Sequence, residues 1–119
     1  MELIEKPVEK SQLAELAKER FGDMVKAVVD IEKRLMLVGG ELHADEEAEL
    51  LENGSKQQDL WGINIYPDKV CSEMVEFDSM INLRPSQGNR SRGVDNPDVR
   101  EKILEIVREL VRESANSAP

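Results

Sequence analysis

Apolar residues recur along this chain at two different periods, and each change of period marks a new element. Leu13, Leu16, Ala17 and Phe21 follow helical spacing, which predicts a helix over 12–21 with Ser11 as its N-cap and Gly22 as its stop. From Met24 the period falls to two. Val25, Ala27, Val29 and Ile31 alternate with Lys26, Val28 and Asp30, the pattern of a strand rich in β-branched residues. Glu32-Lys33-Arg34 then reverses the chain into Leu35–Val38, so the two segments form a hairpin. The second arm is apolar at successive positions, as a strand covered on both faces would be. Asp45 caps a short acidic helix, 46–52, that Asn53-Gly54 ends. Trp61, Ile63 and Ile65 define another strand, closed by Pro67-Asp68, and a further alternation through Phe77, Ser79, Ile81 and Leu83 predicts a strand over 75–83. Asn96-Pro97 opens the last helix, striped by Val99, Ile103, Ile106, Val107 and Leu110. Leu3 and Ile4, ahead of Pro7, form a short strand or an arm.

This order gives an α+β fold, with an antiparallel sheet, two amphipathic helices packed on one face and one short acidic helix. The helices are expected over Val25, Ala27, Val29, Trp61, Ile63, Phe77, Ile81 and Leu83. Residues 1–113 make one domain, and 114–119 make a flexible C-terminal tail. Alternation sends Lys26, Val28, Asp30, Asn64, Tyr66, Asp78, Met80 and Asn82 to the opposite face, joined by Leu35, Leu37, Gly39, Glu41 and His43. Its apolar centre and polar surround suit a homodimer contact or a ligand surface, unless the short acidic helix folds over it.

Charge narrows the partners. Twenty-five acidic against sixteen basic residues give a net charge of -9, which repels phosphate backbones and anionic lipid, so neither nucleic acid nor membrane is a default partner. One cysteine and one histidine exclude a disulfide framework, a Cys-rich zinc site and a two-histidine motif within one chain, and no metal or cofactor is assigned. No apolar stretch approaches the roughly 20 residues of a membrane span. The N-terminus lacks a basic start followed by an apolar run, so the expected compartment is the cytoplasm.

Two constellations carry candidate chemistry. Glu41-Leu42-His43-Ala44-Asp45-Glu46-Glu47 gathers an imidazole and carboxylates at a strand end. If the strand continues through Asp45, then Glu41, His43 and Asp45 share a face. That suits a general base oriented by a carboxylate, or, with Asp78 or Asp59 arriving from elsewhere, a mixed imidazole and carboxylate metal site; His43, Asp45 and Asp78 are the candidate catalytic residues. The competing reading makes Asp45 a helix cap, Glu46 and Glu47 first-turn acids, and His43 a local hydrogen-bonding residue. The second constellation is the acid-free stretch 84–93, where Arg84, Arg90 and Arg92 stand among Ser86, Gln87, Asn89 and Ser91 with Gly88 and Gly93 as bends. That composition suits an anion-binding loop for a small phosphorylated or carboxylate ligand, although it matches no established phosphate-loop pattern. Alternatively the arginines pair internally with Glu46, Glu47, Glu49 or Asp78. Trp61 is a core anchor, and Cys71 has no adjacent cation to activate its thiol.

Four stretches together resemble a known family: KERFGDMVKAVVD at 18–30, GGELHADEE at 39–47, DLWGIN at 59–64 and FDSMINLRPSQGNRSRG at 77–93. The resemblance is to small prokaryotic proteins catalogued only as a domain of unknown function. It implies a free-standing small domain and transfers no activity, cofactor or site. Two functions follow from the residues: a non-enzymatic binding or interaction module, or an enzyme acting on a small anionic metabolite through 84–93. Whether His43, Asp78 and the arginine loop converge on one cavity separates them.

Overall fold

A computed structural model describes residues 1–113, the side chain of Cys71 excepted. The expectations for the tail 114–119 and for the Cys71 thiol lie outside the described residues. Among the described residues the fold is α+β, with four α-helices, a five-stranded antiparallel sheet and a two-stranded parallel ribbon. The sheet consists of β1 (Glu2–Ile4), β3 (Val25–Asp30), β4 (Leu35–Gly40), β5 (Leu60–Ile65) and β6 (Val75–Glu76), in the order β1-β4-β3-β5-β6. The ribbon pairs β2 (Val8–Glu9) with β7 (Val111–Arg112).

The hairpin β3–β4 forms as its alternation predicts. Its turn is held by Asp30, whose Oδ1 accepts the N–H groups of Glu32 and Lys33 at 2.9 Å each, and Ser55 Oγ donates to Oδ2 at 2.6 Å. Arg34 closes the turn with φ of 56°, a left-handed conformation unusual for a residue bearing a Cβ. One face of the sheet carries Val25, Ala27, Val29, Met36, Val38, Ile63 and Ile65. These join Leu13 and Ala17 of α1 (Lys10–Arg20) and Ile103, Ile106, Val107 and Leu110 of α4 (Pro97–Leu110) in one buried cluster. Both long helices thus lie on one face. Asn96 caps α4 as expected, its Oδ1 accepting the Asp98 N–H at 2.8 Å, with Pro97 in the first turn.

The other face is covered from within the chain. Helix α2 (His43–Glu52) lays Leu50 against Val28, Leu37 and Leu60, with Leu35 and Ile81 at the margin. Val28 is fully buried and Leu37 nearly so, so the apolar centre considered for a homodimer contact is occupied by the short helix. Burial of each such side chain contributes about 1.5–3 kcal/mol.

Several local expectations are corrected. Helix α1 starts at Lys10, because Glu9 and Gln12 form a capping box in which the Glu9 N–H donates to Gln12 Oε1 at 2.9 Å; Ser11 is therefore inside the helix. Phe21 leaves the stripe and is exposed, with the Lys26 ammonium 5.4 Å from its ring centre. Strand β4 ends at Gly40, and Leu42 is the N-cap of α2, so Asp45 is a first-turn residue rather than the cap. The strand expected over 75–83 persists only through Glu76. Beyond it the chain turns into a 3-10 segment, Met80–Asn82, and the Ser79 hydroxyl accepts the Ile81 N–H there. Ile81 consequently packs against the α2 side of the sheet, and Leu83 is exposed. A short helix α3 (Cys71–Met74) precedes β6.

Candidate functional site

Backbone register builds the floor of one cleft. Lys26 of β3 pairs across the sheet with Asn64 of β5, and Asn64 pairs with Glu76 of β6, so three polar residues form a row on the α2 side. Asn64 Nδ2 donates to Glu76 Oε1 at 2.8 Å, and Tyr66 Oη donates to the same oxygen at 3.2 Å. The first turn of α2 adds His43, the turn after β6 adds Asp78 and Met80, and the following loop adds Arg92. These residues line a cleft of about 390 Å³, with the apolar Met24 and Leu42 also at its wall.

His43 is held tightly. Its imidazole is buried and its Nε2 lies 2.8 Å from the carbonyl oxygen of Ile63. Only a protonated Nε2 can bond a carbonyl, which fixes the neutral tautomer with the proton on that nitrogen. Burial lowers the imidazole pKa below its ordinary 6.5, and the positive charges of Lys26 and Arg92 act in the same direction. The Ile63 hydrogen bond and the Asp78 charge oppose them. Gly62 makes this seating possible: a Cβ there would lie 2.5 Å from the Ser79 hydroxyl and 3.2 Å from His43 Cδ2.

The cleft holds two cations, Lys26 and Arg92, and two acids, Glu76 and Asp78, of which one pair is in contact. Arg92 Nε donates to Asp78 Oδ1 at 2.7 Å. Lys26 has no carboxylate within ion-pair distance among the described residues, its ammonium lying over Phe21 instead. Among the described residues no side chain caps the first turn of α2, where His43 and Ala44 border the cleft.

Of the loop residues singled out by composition, only Arg92 reaches this place. Arg84 is buried; its guanidinium donates to the carbonyls of Gln57 and Leu60 and stacks 4.2 Å from the Trp61 ring centre. Asn89 donates through Nδ2 to the carbonyls of Asn82 (2.7 Å), Gly93 (2.8 Å) and Ser91 (3.1 Å), and its Oδ1 accepts the Asp95 N–H at 2.8 Å. Ser91 Oγ and the Arg90 N–H both donate to Asp95. Ser86 and Gln87 lie exposed in a 3-10 turn, and the Arg90 side chain is also exposed. The loop is thus a scaffold tied by its own amides. Asn82 extends it into the sheet, accepting the Gly62 N–H at 2.8 Å and donating to the carbonyls of Gly62 and Arg92 at 2.9 Å each. Arg92 is delivered to the cleft by that tie.

Asp45 is exposed and does not line the cleft, whereas His43 and Asp78 do. Nothing in their local sequence marks Lys26, Asn64 and Glu76 as site residues. The alternation already placed Lys26 and Asn64 on the correct face, and cross-strand register was the missing signal. Among the described residues no group of three or more His, Cys, Asp and Glu is arranged to hold a metal, and no helix is long and apolar enough to cross a membrane.

No curated protein and no solved structure matches the chain. A family model described as a protein of unknown function (DUF5674) matches residues 2–110, which include every residue of the cleft, and the chain belongs to that family.

Proposed function

We propose that the protein is a binding module whose ligand is a small anion seated in the cleft between the start of α2 and the turn after β6. The observation that carries this reading is Lys26. It is a half-buried cation with no ion-pair partner among the described residues, facing a cleft that Arg92 enters from another element. Arg92 engages Asp78 through Nε, and its planar fork retains further N–H donors for an oxyanion. Against a net charge of -9, Lys26 and Arg92 offset Glu76 and Asp78 in this recess, which gives an anion a local reason to bind where the rest of the surface repels it.

An enzyme working in the same cleft is the second reading, favoured by His43 because a neutral imidazole with a fixed tautomer is what proton transfer requires. A homodimer, if formed on this side of the molecule, would meet the exposed Leu3, Leu42 and Met80 rather than the covered Val28 and Leu37.

Calorimetric titration with inorganic phosphate and with acetate at low ionic strength tests the binding reading. Saturable binding that is lost in Lys26→Ala and in Arg92→Ala is expected. Binding that survives both substitutions, or no binding to the unaltered protein, refutes it.

A further inference from the structure

The anion reading leaves the chemistry of the ligand open, and the seating of His43 narrows it. The imidazole meets strand β5 along one edge: Nε2 bonds the Ile63 carbonyl, and the neighbouring Cδ2 lies over Gly62. In a five-membered ring the atom opposite the Nε2–Cδ2 bond is Nδ1. That nitrogen therefore points away from the sheet, and His43 lines the cleft. It forms no hydrogen bond with any described residue, and, with the proton on Nε2, it carries a bare lone pair. A plain carboxylate or sulfate held by Lys26 and Arg92 would present only acceptor oxygens to this acceptor nitrogen. Asp78 and Glu76, also lining the cleft, offer further acceptors and no donor when ionised.

We infer that the cleft selects small oxyanions that carry their own hydroxyl donor, with the oxyanion on Lys26 and Arg92 and the hydroxyl donating to Nδ1 of His43. The inference rests on the anion-binding reading and adds His43 as the residue that sets specificity. Hydroxycarboxylates and monohydrogen phosphates share the required chemistry: negative oxygens on one side and an O–H on the other. Ser79 does not supply that hydroxyl in the structure: it is buried over Gly62, where its oxygen accepts the Ile81 N–H, and it forms no hydrogen bond with His43.

Matched probes test this. Acetate and glycolate differ by one hydroxyl, as do sulfate and monohydrogen phosphate in donor capacity. A single hydrogen bond formed in water predicts that the hydroxyl-bearing member of each pair binds about three- to tenfold more tightly. His43 is the chain's only histidine, so its ring nitrogens give unambiguous NMR signals in the unaltered protein. The Nδ1 resonance is expected to move with glycolate and phosphate and to stay in place with acetate and sulfate. His43→Phe, which removes the acceptor, is expected to erase the preference within each pair. Equal binding of paired probes with a silent Nδ1, still dependent on Lys26 and Arg92, overturns the inference while the anion reading stands. A preference that persists in His43→Phe overturns the assignment to His43. Failure of all four probes to bind overturns both. A preference in the carboxylate pair alone assigns the hydroxycarboxylates, and one in the phosphate pair alone assigns the phosphates.

Discussion

Glu46 is a fully buried carboxyl group in a helix otherwise rich in exposed acids, and its ionisation should be visible in the stability of the whole molecule. Its Oε2 accepts the Gly40 N–H at 2.9 Å, while Oε1 has no hydrogen-bond partner among the described residues. Burial raises its pKa from 4.5 to about 8, and the nearby Asp45 adds to the rise. The Gly40 N–H, the Lys26 ammonium and the N-terminal amine pull the other way. In the unfolded chain Glu46 ionises near 4.5, whereas in the folded protein it keeps its proton to about 8. The folded state therefore holds the extra proton through that window. Stability from this group is full below 4.5 and is lost as pH rises toward 8. At about 1.4 kcal/mol per pH unit, the loss amounts to about 3 kcal/mol by neutral pH and about 5 kcal/mol once the folded group has also ionised. Glu46→Gln removes the titration and keeps the shape. Whatever the amide costs in the same pocket is constant with pH and cancels when slopes are compared. Urea unfolding followed by the fluorescence of Trp61, the only tryptophan, gives the curves at a series of pH values. The unaltered protein should lose stability relative to Glu46→Gln by those amounts between acid and alkaline pH. Parallel curves for the two proteins would refute the account.

Gly62→Ala should destabilise the fold by about 1–3 kcal/mol, since its Cβ would collide with the buried Ser79 hydroxyl; chemical denaturation measures the cost. Asn82→Ala should cost about 2–4 kcal/mol by stranding the Gly62 N–H and two carbonyls, and should also release Arg92 from the cleft, seen as weakened phosphate binding in calorimetry. Arg84→Lys keeps the charge but not the fork that bonds two carbonyls while stacking on Trp61. A loss of about 1–3 kcal/mol is expected, with a shift in tryptophan emission as the indole environment changes.

The hairpin and the two long helices were legible because each obeys a single rule. Val25, Ala27 and Val29 alternate, and Ile103, Ile106, Val107 and Leu110 follow one helical stripe, so burial and periodicity agree. The stretch 77–83 alternates just as regularly, yet it leaves the sheet. There the Asn82 side chain supplies hydrogen bonds to Gly62 that a neighbouring strand would have made, a substitution that hydrophobic pattern cannot reveal. Glu46 misleads for a related reason. Its neighbours Asp45 and Glu49 are exposed, and only the close approach of Gly40, where a Cβ would lie 2.8 Å from Glu46 Cγ, shows that this one acid turns inward. In the cleft, His43, Asp78 and Arg92 stood out by residue type. Lys26 and Asn64 gain their importance from cross-strand pairing, which is a property of register rather than of any local segment.

The parallel ribbon has a consequence for how the molecule is made. Val8 pairs with Val111 and Glu9 with Arg112, joining segments from opposite ends of the described chain, and Val111 is buried in the main cluster. On a ribosome the early segment waits, unpaired, for nearly the whole domain to be synthesised. Helix α1 meanwhile has no α4 beside it, and the apolar surface of β3 and β5 stays open on that side. Contacts of such sequence separation close late and slowly. The nascent chain is therefore expected to keep this apolar surface open until residues 97–112 have emerged and docked, which limited proteolysis of chains truncated before residue 97 would detect.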